Sequence, residues 1–253
     1  MTHVSERDRS VWIGCAGWSI PRVHADHFPG NGSHLARYGG QLPAVEINSS
    51  FYGPHRPQTY ARWAAETPDH FRFAVKVPKE ITHTLRLVGT DQTLDAFLAE
   101  ISPLGVKLGP LLIQLPPSLA FSSQKAEAFF HLLRDKYAES VVCEPRHPSW
   151  FENEPDHLLQ EFKVARVAAD PARVPSAATP GGWLGLQYYR MHGSPRMYYS
   201  EYGLERLRSI AAKLADLDTS VERWCIFDNT ASGAAAQDAV DLMALCSGHG
   251  TSL

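Results

Sequence analysis

The 253-residue chain is poor in cysteine: Cys15, Cys143, Cys225 and Cys246 are its four, and no two form a C-x-x-C pair. This argues against a disulfide framework or a thiolate zinc site. The first three lie in apolar segments and are expected to be buried, reduced thiols. Long apolar runs are missing too. The longest, such as LGPLLIQL, fall far short of the roughly 20 residues that span a bilayer, so no membrane segment is expected. Charge of neither sign is in excess, with 24 Lys and Arg against 27 Asp and Glu and a net charge of −3. Such a balance lacks the general electrostatic footprint of a nucleic-acid binder, while leaving room for a local cationic pocket. No apolar stretch follows the charged start MTHVSERDRS, so no secretory leader is expected and the chain reads as cytoplasmic. Repeats, low-complexity tracts and Gly/Ser linkers are lacking, which makes residues 1–253 a single domain. The G-x-G-x-x-G turn, the G-x-S-x-G elbow and the H-E-x-x-H helix are also absent, removing the usual signals of dinucleotide binding, serine hydrolysis and zinc proteolysis.

What is present is alternation. Short β-branched or aromatic runs occur at Val11 to Trp18, Ala44 to Tyr52, Phe71 to Val77, Gly109 to Leu115, Val141 to Arg146, Val164 to Asp170, Leu184 to His192 and Trp224 to Asn229. Between most of them apolar residues repeat at three and four, as in Leu94, Phe97, Leu98 and Ile101, which marks helices with one buried stripe. Strand starts about 20 to 40 residues apart suit crossover helices, not hairpins. Eight such units point to an α/β fold, a (β/α)8 TIM-type barrel, over an open doubly wound sheet. Between the sixth and seventh strands PARVPSAATPGG has three prolines and no helical period, so an irregular loop is expected in place of a helix.

Side chains along a strand alternate between faces, so parity separates residues facing the helices from those facing the barrel interior. In FRFAVKV the apolar Phe71, Phe73, Val75 and Val77 belong outside, which sends Lys76 inward. The same count turns Glu46 and Asn48, Gln114, Glu144 and Arg146, Asp170, Arg190 and His192, and Asn229 inward near the carboxyl ends of their strands. Several buried polar groups together are costly, at about 1–3 kcal/mol for each one left unpaired. They are expected to line an open mouth, where active sites of this architecture sit; a self-satisfied ion-pair plug is the rival reading.

The strings WIGCAGWS, VEINSSFYGPHRPQTYARW, FRFAVK, LGPLLIQLPPS, EPRHPSWF and YYRMHG resemble the signature segments of the YecE-like family, also called domain of unknown function 72. The resemblance covers nearly the whole chain. It implies a TIM-barrel-type fold and supplies no reaction. The chain departs from the family pattern at Pro145, where a phenylalanine often stands, and at Asp228, Asn229 and Thr230, where paired asparagines precede an aspartate.

From the residues themselves, Glu46 and Glu144, on opposite sides of the mouth, are the candidate acid and base. Lys76, Arg146 and Arg190 are candidates to hold an anionic group, with Asn48, Gln114, Asp170, His192 and Asn229 orienting the ligand. A Schiff base on Lys76 is the lesser alternative to a fixed cation there. The expected activity is metal-free acid/base chemistry, of hydrolase or lyase type, on a small anionic or polyhydroxylated compound. No cofactor is expected. A metal-dependent phosphoesterase or isomerase, with a divalent ion on the carboxylates and His192, and a non-catalytic ligand-binding protein are the alternatives. The glycine-bounded GSPRMYYSEYG after the seventh strand is a candidate lid.

Overall fold

A computed structural model describes residues 11–215 and 220–248. Its frame is a parallel sheet built from β1 (Val11–Ala16), β2 (Ala44–Ile47), β3 (Arg72–Lys76), β4 (Leu108–Gln114), β5 (Val141–Glu144), β6 (Val164–Arg166), β7 (Ala168–Asp170), β9 (Leu186–Met191) and β10 (Glu222–Phe227). Strands β1 to β6 pair in chain order, and β1 also pairs with β10, β10 with β9, and β9 with β7. The stretch expected as the sixth strand is therefore one stave in two halves. Its lower half pairs with β5 and its upper half with β9, and between them Val167 donates its N–H to Cys143. This completes the circuit of eight staves as a TIM-type barrel.

Helices α1 (His34–Gly39), α2 (Pro57–Glu66), α3 (Asp91–Ile101), α4 (Ser123–Lys136), α5 (Asn153–Glu161), α6 (Leu204–Ala215) and α7 (Ala234–Cys246) follow seven of the staves. After β7 the chain instead makes a 3-10 turn at Pro175–Ala178 and a two-residue strand, β8 (Gly181–Gly182), antiparallel to β6. The three prolines explain why. Each removes a backbone donor and resists continuation of a helix.

Two apolar clusters match the parity reading on β2 to β5. One, between staves and helices, holds Val45, Ile47, Phe73, Val75, Ile113 and Cys143. The other fills the barrel with Trp12, Ala44, Ala74, Leu112, Val142, Tyr188, Trp224 and Ile226. In the latter, Trp224 stacks on Tyr188 at 5.9 Å between centroids. Gly109 makes room for the Trp224 ring, since a Cβ there would lie 2.7 Å from it. Cys15, Cys143 and Cys225 are buried free thiols. No helix among the described residues is long and apolar enough to cross a membrane.

Candidate functional site

Above the aromatic floor lies a charged layer centred on Arg190, which is wholly buried at 0% exposure. The seventh stave carries it because Tyr188, Arg190 and His192 share the inward face. Arg190 donates through Nε and Nη2 to the two oxygens of Glu46, at 3.0 and 2.7 Å. It also donates through Nη1 to Glu144 at 2.5 Å and through Nη2 to Asp228 at 3.1 Å. Tyr188 donates its hydroxyl to Glu46 as well. Burial alone would push the guanidinium toward neutrality, but the three carboxylates hold its pKa well above the ordinary value.

Glu144 is the hub of the upper part. Gln114 donates to its Oε2 at 3.3 Å, Arg146 donates Nε to its Oε1 at 3.0 Å, and His192 Nε2 lies 3.3 Å from the same oxygen. His192 Nδ1 bonds Asp228 at 3.0 Å. Burial opposes both charged forms here. For Glu144 it is outweighed by Arg190, His192 and Arg146, which hold the carboxyl well below its usual range. For His192 it is outweighed by Glu144 and Asp228, which lift the imidazole. Glu144, Arg146 and His192 border a narrow crevice together with Ala169, Pro171 and Met197.

Lys76 stands apart from this lattice. It follows Ala74, the partner of Glu46 across β2 and β3, by two residues, so it projects one inward position higher. It is 5% exposed, and its Nζ sits 4.1 Å above the centroid of Phe51. Its carbonyl accepts from the Ser50 hydroxyl at 2.6 Å, but among the described residues no hydrogen bond or ion pair engages its amine. Burial, and then Arg190, bring its pKa down to about 8, against the pull of Glu46, Glu144 and Asp228. His83 packs against Phe51 in a T-shaped arrangement at 5.0 Å, and it too is held low, by burial and then by Lys76, Arg146 and Arg86.

The structure brings Glu46, Lys76, Gln114, Glu144, Arg146, Arg190 and His192 together. Asn48 lies just beyond β2, half-buried, with its Oδ1 unpaired. Three expectations are corrected. Asp170 turns outward and pairs with Arg206 of α6, because Ala165, Val167 and Ala169 take the inward positions of the sixth stave. Asn229 points into the base of the loop after β9, donating to Ser200 and Asp238. Glu46 is fully enclosed with both oxygens engaged, so it is placed to hold Arg190 and not to touch a ligand.

Asp228 was missed and belongs to the layer. Its signal was register: β10 pairs Trp224 with Tyr188 and Ile226 with Arg190, which sets Asp228 beside His192. The candidate lid, residues 193–203, is pinned. Gly193 donates to the Tyr202 hydroxyl, which donates to the Asp170 carbonyl, while the Tyr198 hydroxyl lies 3.5 Å from the Arg146 guanidinium. Among the described residues, no group of three or more His, Cys, Asp and Glu is arranged to hold a metal ion. Glu144, Asp228 and His192 are engaged with one another and with arginines.

The family model described as a protein of unknown function, DUF72, matches residues 12–252. The chain belongs to the DUF72 family. It is 30% identical to the UPF0759 protein YecE of Escherichia coli (strain K12) over 173 residues, which cover 66% of this chain and 61% of that protein. It is 28% identical to the UPF0759 protein YunF of Bacillus subtilis (strain 168) over 152 residues, covering 56% and 52%. The chain thus matches less than two thirds of the length of these relatives. Among solved structures, a DUF72 family protein from Thermotoga maritima MSB8 superposes with a TM-score of 0.77 at 24% identity, over 94% of this chain and 99% of that one. One from Enterococcus faecalis V583 gives 0.76 at 20%, over 94% and 95%. These similarities establish the DUF72 barrel and carry no reaction with them.

Proposed function

We propose that the barrel mouth of this DUF72 protein is the site of an enzyme that takes a small anionic compound and acts on it by metal-free acid/base chemistry, of hydrolase or lyase type. The observation that carries this reading is an imbalance. Glu46, Glu144 and Asp228 are each bonded to Arg190, Arg146 or His192, while the amine of Lys76, one inward position higher, has no carboxylate set against it. A plug that satisfied itself would set a carboxylate against that amine. An anionic ligand group supplies the missing charge, with Arg146 offering a planar fork for it.

Proton transfer in this reading falls to His192, which borders the crevice with Glu144, and not to the pair Glu46 and Glu144. His192 is lifted toward the charged form and serves as the acid, and Glu144 holds its orientation. Glu46 and Arg190 form the rigid base beneath. The test is a thermal-shift screen with oxalate, inorganic phosphate, citrate and sugar phosphates, since a ligand selective for the native state raises its melting temperature. Anions are expected to raise it in the wild type and not in Arg146→Met. No shift with any anion, or an equal shift in both proteins, overturns the reading. A bound anion recovered chemically unchanged after long incubation leaves a binding protein and removes the enzyme.

A further inference from the structure

The anion reading uses Lys76 only as a charge and leaves its chemistry as an amine unused. Its amine is enclosed between the Phe51 ring and the ion-pair lattice, with no acceptor to hold its protons, at the carboxyl end of a barrel stave. Salt-bridged lysines are poor nucleophiles because the ammonium has no lone pair. A desolvated, unpartnered one beside other cations is the arrangement that releases it. The groups that act on it are the cationic Arg190, His83, which burial and nearby cations push toward the neutral form, and the carboxylates Glu46, Glu144 and Asp228, all three already bonded to arginine or histidine.

We infer that Lys76 is a nucleophile that forms an imine with the carbonyl carbon of an anionic aldehyde or 2-oxo acid, with Arg146 holding the anionic group. The inference rests on the anion-binding reading and deepens it by naming the substrate class. In the step, the Nζ lone pair makes a new bond to the carbonyl carbon and the carbon–oxygen π electrons move to oxygen. The two hydrogens of the neutral amine leave with that oxygen as water, so C=N replaces C=O and no oxidant or reductant is consumed. At neutral pH an amine titrating near 8 carries about a hundredfold or more free base than an exposed lysine titrating near 10.4, which predicts selectivity for this position.

The experiment treats the full chain at pH 7.5 with glyoxylate and cyanoborohydride, which reduces the imine to a stable secondary amine, and maps the added mass by peptide. Lys76 is expected to be modified at least tenfold faster than exposed Lys79 and Lys125, with excess oxalate, an anion lacking the aldehyde, protecting it. Even labelling across the three lysines overturns the inference without needing any variant to fold. Where oxalate raises the melting temperature but Lys76 is not selectively labelled, the imine fails and the anion site stands. Where Lys76 is selectively labelled but oxalate neither binds nor protects, the nucleophile stands and the anion reading fails.

Discussion

Arg190 and Glu46 face one another across the barrel fork to fork, with Nε and Nη2 of the guanidinium on the two carboxylate oxygens at 3.0 and 2.7 Å. The pair ties the seventh stave to the second through the interior, a connection that no strand pairing makes. Taking both charges from water is costly, and their attraction with the added hydrogen bonds roughly offsets this. Removing one partner alone is different. Arg190→Met leaves three buried carboxylates facing each other and is expected to lower stability by about 3–5 kcal/mol, read from guanidinium chloride unfolding. The double variant Arg190→Met/Glu46→Leu is expected to recover part of that loss, because one of the stranded charges is gone.

The lift on His192 makes a prediction about pH. Its pKa is raised above the ordinary 6.5 in the folded state, with Glu144 and Asp228 overcoming burial. The native protein therefore binds this proton more tightly than the unfolded chain. The stabilisation it brings is fully present below pH 6.5 and is lost as pH rises through the folded value. In urea unfolding, wild type is expected to lose stability relative to His192→Asn as pH rises above 6.5, against the gain that the lowered folded pKa of Lys76 brings at higher pH in both proteins. An unchanged slope in the variant would reject the assignment.

Gly109 and Trp224 supply a test of the floor. A methyl group at Gly109 would sit 2.7 Å from the far ring atoms of Trp224, in a packed interior with no room to yield. Gly109→Ala is expected to cost about 1–3 kcal/mol. Adding Trp224→Phe removes those ring atoms, so a double-mutant cycle by chemical unfolding is expected to show a favourable coupling between the two substitutions.

How far the sequence reached depended on contrast between faces. In FRFAVKV one face is wholly apolar, so Lys76 was assigned inward and is found there. At β10 both faces are apolar, Trp224 and Ile226 inside and Cys225 and Phe227 outside, and parity cannot choose between Asp228 and Asn229. The sixth stave is similarly blank. Small residues on both faces of VARVAAD hid the outward turn of Asp170 toward Arg206. The enclosure of Glu46 was beyond reach for another reason. Parity places a carboxylate in the barrel, but only its contact with Arg190, 144 residues away, shows that no oxygen is free.

The two candidate acid/base glutamates are expected to behave differently when neutralised. Glu46→Gln removes charge from beneath Arg190, one guanidinium away from the crevice-lining Glu144, and is expected to cost about 1.5–3 kcal/mol of stability while leaving the anion-induced melting shift intact. Glu144→Gln acts at the rim. It withdraws the carboxylate that lies 3.0 Å from Arg146 Nε, so more of the guanidinium charge faces the crevice, while His192, 3.3 Å away, loses one of the two charges that lift it. Oxalate is expected to bind about five- to tenfold more tightly, a gain near 1 kcal/mol, even as the variant itself melts earlier. Isothermal titration of both variants checks this. Equal weakening of oxalate binding in the two would mean that both carboxylates serve one structural role, and the division between platform and rim would fall.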